Sequence, residues 1–168
     1  MPTAARIAVV GVSASGKTTF ARALAKKLDL PLIHTDSVMW KPGWEQVDEA
    51  ESAAALIAHS KKPAWIIEGY IPKSARSDVF AHADLIYYLD YPRHIPAWRY
   101  LIRSWRHRKD PRPELPGCYD HFAFKFLKII WTKQETVSLL KYLAEVPKEK
   151  IVTLRTPVET QRYLREVY

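Results

Sequence analysis

Two clusters of residues in this chain have the types and spacing to do chemistry. The first is Gly11, Gly16, Lys17 and Thr18, which satisfy the order G-x-x-x-x-G-K-[ST]. A loop of this kind cradles phosphate. Its glycines let the backbone turn sharply and approach phosphate oxygens, its amides converge on the β-phosphate, and a helix beginning near Gly16 adds the positive end of its dipole. Lys17 can reach β- and γ-phosphate oxygens as a point charge, and the Thr18 hydroxyl can ligate Mg²⁺. The surroundings agree: Ile7 to Val10 read as a short buried strand, and Phe20, Leu24 and Leu28 recur at helical spacing behind the loop. The pattern points to a bound nucleoside triphosphate.

The second cluster is basic. Arg93, Arg99, Arg103, Arg106, Arg108, Lys109 and Arg112 stand against the single acid Asp110. On a helix, Trp98, Leu101, Ile102 and Trp105 share one face while Arg99, Arg103 and Arg106 share another. The expectation is that the tryptophans dock the helix and the arginines face phosphate, whose oxygens the guanidinium fork binds in pairs and whose charge it stabilises during transfer. The Pro-rich stretch that follows, through Gly117, reads as a movable lid that excludes water.

Both clusters need a scaffold. After the first helix, residues 31–35 read as a second strand ending at Asp36, and residues 37–44 as irregular. Asp48 and Glu51 form a capping box for a helix to about Ser60. A third strand covers residues 64–68, a short helix residues 74–82, and a fourth strand residues 84–90. Pro92 opens a long helix to about His107. A helical region spans about 120–144, residues 151–154 make a fifth strand, and Thr156-Pro157-Val158-Glu159 starts the terminal helix. Alternating strands and helices predict an α/β fold with a parallel sheet covered on both faces. Ligands in such folds bind at the carboxyl ends of the strands. The residues there are the glycine-rich loop, Asp36, Glu68-Gly69, Asp90 and Arg155.

Each strand-end residue has a chemical reading. Asp36 is placed to accept the proton of an attacking hydroxyl or to position Mg²⁺ through water. Glu68 is placed to hold metal-bound water, and Gly69 to allow close approach of a substrate. His34 reads as a packed histidine. Arg76, on the helix after the third strand, is placed to clamp an acceptor anion or simply lies on the surface. Trp44 and Tyr70 wall an acceptor pocket or pack structurally. Tyr119, Phe122, Phe124, Phe126 and Trp131 are expected to pack the helical layer.

Composition sets the bounds. A chain of 168 residues with 48% hydrophobic content is one domain with a real core. No apolar run approaches the ~18 residues of a membrane span. No signal peptide fits, because its removal would destroy the first strand and loop. The single cysteine, Cys118, excludes an internal disulfide framework and suits a reducing, cytoplasmic setting. The formal charge of +8 attracts anions without naming them.

The glycine-rich loop, the HTD after the second strand, KPGW, the WIIEGY strand, the LDYPR turn and the arginine helix together resemble small P-loop kinases related to adenylate kinase, and most nearly the group called DNA topology modulation proteins. The likeness spans nearly the whole chain and is specific over its first 110 residues. It implies a three-layer P-loop NTPase fold with a five-stranded parallel sheet in order 2-3-1-4-5, as in nucleoside monophosphate kinases. It also implies Mg-ATP as donor, an acceptor-binding region over about 36–62 and an arginine-bearing lid over about 106–118. Gly11, Ser13, Ala14, Ser15, Gly16, Lys17, Thr18 and Thr19 fall on the phosphate loop, with Arg155 on the nucleotide side. Asp36 falls where shikimate- and gluconate-type kinases keep an acceptor-binding aspartate, Glu68-Gly69 where monophosphate kinases have Asp-Gly, and Arg99 and Arg103 where they have lid-base arginines. The chain departs from the monophosphate kinases at Tyr70-Ile71-Pro72-Lys73, where they carry Phe-Pro-Arg, and between Trp40 and Trp44, where their acceptor-site arginine pattern is missing.

The expected activity is transfer of the γ-phosphate of Mg-ATP to a small-molecule acceptor, a nucleotide or nucleoside among the candidates. Lys17, Asp36, Arg99 and Arg103 are its catalytic residues, and Thr18 and Glu68 its metal-side residues. Asp36, Trp44, Gly69, Tyr70 and Arg76 are its acceptor-side residues. The weaker alternative is an ATP-binding, nucleic-acid-associated protein affecting DNA topology, which would use the basic surplus; no DNA-reading motif accompanies that charge. A nucleotide-binding regulator with slow hydrolysis is a third reading. The expected assembly is a monomer or homodimer away from the membrane.

Overall fold

A computed structural model describes residues 4–166. The chain runs β1 (Arg6–Gly11), α1 (Lys17–Leu28), β2 (Leu32–His34), α2 (Thr35–Met39), β3 (Trp40–Lys41), β4 (Glu45–Gln46), α3 (Glu49–Ser60), β5 (Trp65–Glu68), α4 (Lys73–His82), β6 (Leu85–Leu89), α5 (His94–Arg106), α6 (Phe124–Thr132), α7 (Gln134–Leu143), β7 (Ile151–Leu154) and α8 (Pro157–Glu166). Five strands form one parallel sheet in the order β2-β5-β1-β6-β7. Counting only those five in chain order, this is the expected 2-3-1-4-5.

Alternation along the strands divides the core in two, because successive side chains leave a strand on opposite faces. Ala8, Val10, Trp65, Ile67, Ile86 and Tyr88 pack with Leu56 of α3, Val79 and Phe80 of α4 and Leu139 and Leu143 of α7. Ile7, Val9, Ile66, Tyr87 and Leu89 pack on the opposite face with Phe20 and Leu24 of α1 and Tyr163 and Leu164 of α8. Near-continuous apolar strands are what a sheet covered on both sides requires. Each fully buried leucine or isoleucine, such as Leu24 or Ile66, contributes about 1.5–3 kcal/mol. A third, smaller cluster of Val12, Ala97, Tyr100 and Ile130 seats α5 and α6 against the loop after β1.

Four local expectations change. Residues 37–44 are ordered as the rest of α2 and the start of an antiparallel β3–β4 hairpin, which pairs Trp40 with Gln46 and Lys41 with Glu45. Gly43 and Trp44 turn the hairpin with positive φ. The helical region over 120–144 is two helices, broken where Lys133 adopts a left-handed conformation (φ 52°). The largest change concerns α5. Trp98, Leu101, Ile102 and Trp105 face outward, while Ala97, Tyr100 and Ser104 are buried. Arg99 and Arg103 therefore lie toward the inner side of the helix, while Arg106 is exposed. Of the aromatics expected to pack the helical layer, Phe126 does so, against Tyr100, whereas Tyr119, Phe122, Phe124 and Trp131 are exposed.

Candidate active site

Register places the strand-end residues side by side. Glu68 pairs with Val9 and with His34, Gly11 with Leu89, and Leu89 with Leu154. The loop after β1, Asp36, Glu68-Gly69, Asp90 and Arg155 therefore lie along one edge of the sheet.

The loop from Gly11 to Thr18 connects β1 to the start of α1. Ala14 (φ 62°) and Gly16 (φ 98°) take the left-handed turns that fold its amides inward. The φ of Gly16 calls for glycine, and the only close neighbour of a Cβ there is a guanidinium nitrogen of Arg99 at 2.7 Å, the movable end of a flexible side chain. The Lys17 ammonium donates to the carbonyls of Gly11 (3.0 Å) and Val12 (2.9 Å). Burial lowers its pKa, opposed by the nearby charges of Glu68, Glu135 and Asp36. The buried Ser15 hydroxyl finds no hydrogen-bond partner among the described residues. A cradle of this shape, with a lysine and an unpaired hydroxyl in it, fits a polyphosphate anion.

Thr18 and Glu68, the two residues read as metal-side, meet directly: the Thr18 hydroxyl donates to Glu68 Oε1 at 3.1 Å. His34 Nδ1 lies 2.6 Å from the same oxygen, so His34 is part of this group rather than a histidine merely packed beside it. Nothing local in the sequence showed that Glu68 would stand across from His34. Among the described residues no three His, Cys, Asp or Glu side chains gather into a metal site. One hydroxyl and one carboxylate suit Mg²⁺, which keeps several waters and takes its remaining ligands from substrate phosphates. The residues present fit that ion.

Asp36 lies in the first turn of α2 with its Oδ2 3.6 Å from Arg112 Nη1. Arg112 is nearly buried and also faces Glu114 (3.5 Å) and Asp120 (3.5 Å), with its guanidinium over the Trp44 ring. Arg103 shares Asp120 at 3.3 Å. Burial lowers the pKa of Arg103, as does the charge of Arg112, against the opposing charges of Asp120 and Asp36. Arg112 belonged to the basic run without being singled out. It is the residue that carries the lid to Asp36, and the acids that fold it inward, Glu114 and Asp120, lie in a proline-rich segment with no periodicity to read.

The remaining sites are as follows. Arg99 donates to the Ser15 carbonyl at 2.6 Å, so it braces the loop from behind, and its guanidinium lies over Tyr91. Arg106 is exposed on α5. Ser13 turns its amide and hydroxyl to Glu135 of α7, with contacts of 3.1–3.3 Å; Glu135 was not anticipated, because it arrives from 122 residues away. Arg76 is not a surface residue. It is buried, donates to the Ile71 carbonyl and the Ser138 hydroxyl, and lies between the rings of Tyr70 and Tyr142. With Gly69, Tyr70, Glu135 and Thr136 it lines a small cavity beside Gly11. Gly69 (φ 124°) packs so tightly on the Thr35 hydroxyl that a Cβ would collide with it. Asp90 is paired with Lys133 at 2.6 Å. Arg155 is exposed at the end of β7, its amide donating to Glu159. Thr19 follows Thr18 in the first turn of α1.

The lid is clasped to the β3–β4 hairpin by main-chain and side-chain bonds. Gly43 N donates to Gly117 O (2.9 Å), Trp44 Nε1 to Tyr119 O (2.8 Å) and Cys118 Sγ to Lys41 O (3.2 Å). Trp44 thus joins this segment to the hairpin through its indole nitrogen and lies under the Arg112 guanidinium.

The fold has counterparts among solved structures. The chain is similar to shikimate kinase from Acinetobacter baumannii in complex with shikimate, with a TM-score of 0.62 and 16% identity over 98% of this chain and 91% of that one. Shikimate kinase from Bacteroides thetaiotaomicron gives a TM-score of 0.58 and 17% identity over 97% and 96%. A gluconokinase from Sinorhizobium meliloti 1021 gives 0.53 and 17% over 97% and 93%. No family model matches the chain, and no curated protein matches it in sequence. The fold is that of small P-loop kinases.

Proposed function

We propose that the chain is a Mg-ATP-dependent phosphotransferase acting on a small-molecule hydroxyl acceptor. The observation that supports this best is the facing of two sites across one sheet edge. A phosphate cradle ending in Lys17, Thr18 and Glu68 stands on one side, and Asp36 stands on the other under a lid arginine. The Thr18 hydroxyl and Glu68 would hold Mg²⁺, which when bound would supply Lewis-acid neutralisation of the phosphate oxygens. Lys17 leaves its two loop carbonyls to meet the β- and γ-phosphates. Asp36 orients the acceptor hydroxyl and takes its proton as the oxygen bonds to phosphorus and the bond to the ADP oxygen breaks. Arg103 and Arg112 carry positive charge to the transferring group while Arg99 holds the loop in shape. The clasped lid excludes water, which would otherwise compete with the acceptor. Gly69, Tyr70, Arg76 and Trp44 surround the acceptor side.

ADP formation from Mg-ATP with a panel of hydroxyl acceptors (nucleosides, nucleotides, sugars and hydroxy acids) tests this directly. Acceptor-dependent turnover that disappears in both Lys17→Ala and Asp36→Ala is the expected result. Turnover unaffected by either substitution, or ATP binding with salt-sensitive retention of DNA and no acceptor dependence, would overturn it.

A further inference from the structure

The outward face of α5 is a self-complementary surface, and we infer that it pairs with the same face of a second copy of this chain. Trp98, Leu101, Ile102 and Trp105 project from one side of the helix, 64%, 38%, 38% and 77% exposed. An apolar side chain on a surface is ordinary, but a contiguous stripe with two open tryptophans is not. The stripe reads the same in both directions: its four positions are symmetric about the bond between Leu101 and Ile102. Two copies of α5 laid antiparallel about a two-fold axis there bring Trp98 of each beside Trp105 of the other, and Leu101 beside Ile102. Such reciprocity is what a two-fold interface demands.

The structure also offers the second copy a seat. Between α5 and α6 lies an apolar groove of 410 Å³, lined by Ile95, Ala97, Trp98, Leu101 and Trp131 together with His94 and the stem of Arg99. Antiparallel pairing sets the partner's Trp105 at its mouth. Tryptophan filling a pocket is the usual energetic centre of an interface. Trp131 is itself 51% exposed. At about 250 Å² per tryptophan, Trp98, Trp105 and Trp131 leave roughly 480 Å² open on each copy. Leu101 and Ile102 bring the two copies together past the ~1,000 Å² expected of a specific interface. The stripe itself carries no charge, and Arg99 and Arg103 are turned inward, so pairing does not bury like charges at its centre.

Pairing through this face would fix the helix whose other side holds Arg99 against the phosphate loop and Arg103 against Asp120. The inference stands independently of the proposed chemistry, since it is read from the opposite face.

Sedimentation velocity on the full chain from 1 to 100 μM tests it, beside Trp105→Ala, Trp131→Ala and the exposed control Val158→Ala. The expected result is a wild-type and control dimer that dissociates in both tryptophan variants, with the dissociation constant raised at least ~30-fold and the melting temperature of the monomer unchanged. Leu101→Cys provides a second route: it forms a covalent dimer under mild oxidation, while the buried Cys118 keeps the wild type from doing so. A wild type that stays monomeric at 100 μM overturns the inference. So does a dimer indifferent to both tryptophan substitutions, or a monomer whose tryptophans instead bind anionic vesicles or single-stranded DNA.

Discussion

Glu68 links three neighbours at the sheet edge. It is nearly buried at the end of β5, accepts the Thr18 hydroxyl, contacts His34 and acts electrostatically on Lys17. In the proposed role of holding metal-bound water, Glu68 would act through both its charge and its geometry. Glu68→Gln keeps the shape and removes the charge, so ATP should still bind through the loop while the Mg²⁺ concentration for half-maximal turnover rises about 10- to 100-fold. A Mg²⁺ titration of turnover, beside nucleotide binding in its absence, separates the two effects. An unchanged Mg²⁺ response would place the ion elsewhere. Gly69, next in the chain, answers to sterics alone. Its φ of 124° and its contact with Thr35 leave no room for a methyl group, so Gly69→Ala should destabilise the protein by about 1–3 kcal/mol, seen as a lower denaturation midpoint.

At the scale of elements, the two central strands are tied together at their entry as well as along their ladder. Asp84, just before β6, accepts the amides of Ala5 and Arg6 and the Arg6 guanidinium, the closest contact being 2.6 Å. The Arg6 bond holds the Asp84 pKa below its ordinary 3.8. A carboxylate whose folded pKa is depressed adds stability above the unfolded value and loses it as pH falls through the folded one. Because both side chains are about a third exposed, solvent screens the pair, and Asp84→Ala should cost only about 1 kcal/mol at pH 7. Urea denaturation across pH should show the wild type and the variant converging below pH 4. A gap that persists at pH 2 would mean the contribution is packing. Helix α5 joins the site differently, since its buried Tyr100 and Ala97 lock it to Val12 while its arginines work at the loop and lid.

For the molecule as a whole, the proposed function makes the segment read as a lid the part whose state would decide access. It is held by the hairpin bonds and by Arg112 among Asp36, Glu114 and Asp120, with Arg22 of α1 also reaching Glu114 at 2.6 Å. Removing the guanidinium leaves two nearly buried acids short of compensation, and such a loss destabilises strongly at the place where it occurs. Arg112→Gln should therefore raise hydrogen exchange across residues 107–123 at least tenfold while β1, β5 and β6 keep their protection. The half-saturating acceptor concentration should rise with it. Uniformly faster exchange across the sheet would show that Arg112 supports the domain rather than its lid.

Some of this was legible in residue order and some was not, and physical range divides them. The phosphate loop, the five strands, Asp36, Glu68-Gly69 and the capping residues of α3 are local patterns, set by glycine conformations, apolar runs and hydrogen bonds a few residues apart. Sheet order followed from resemblance to small P-loop kinases, and the register bears it out. The contacts of His34 with Glu68, Glu135 with Ser13 and Arg112 with Asp36 join residues 34, 122 and 76 positions apart, and no local pattern encodes which distant partner a side chain will meet. The orientation of α5 shows the difference most clearly. Its sequence defined an apolar face and a basic face, and hydrophobicity alone sends tryptophan inward. Tertiary structure reversed that choice, because the inner side of this helix meets the Ser15 carbonyl and the Asp120 carboxylate, which Arg99 and Arg103 pair with, and the tryptophans were left outside.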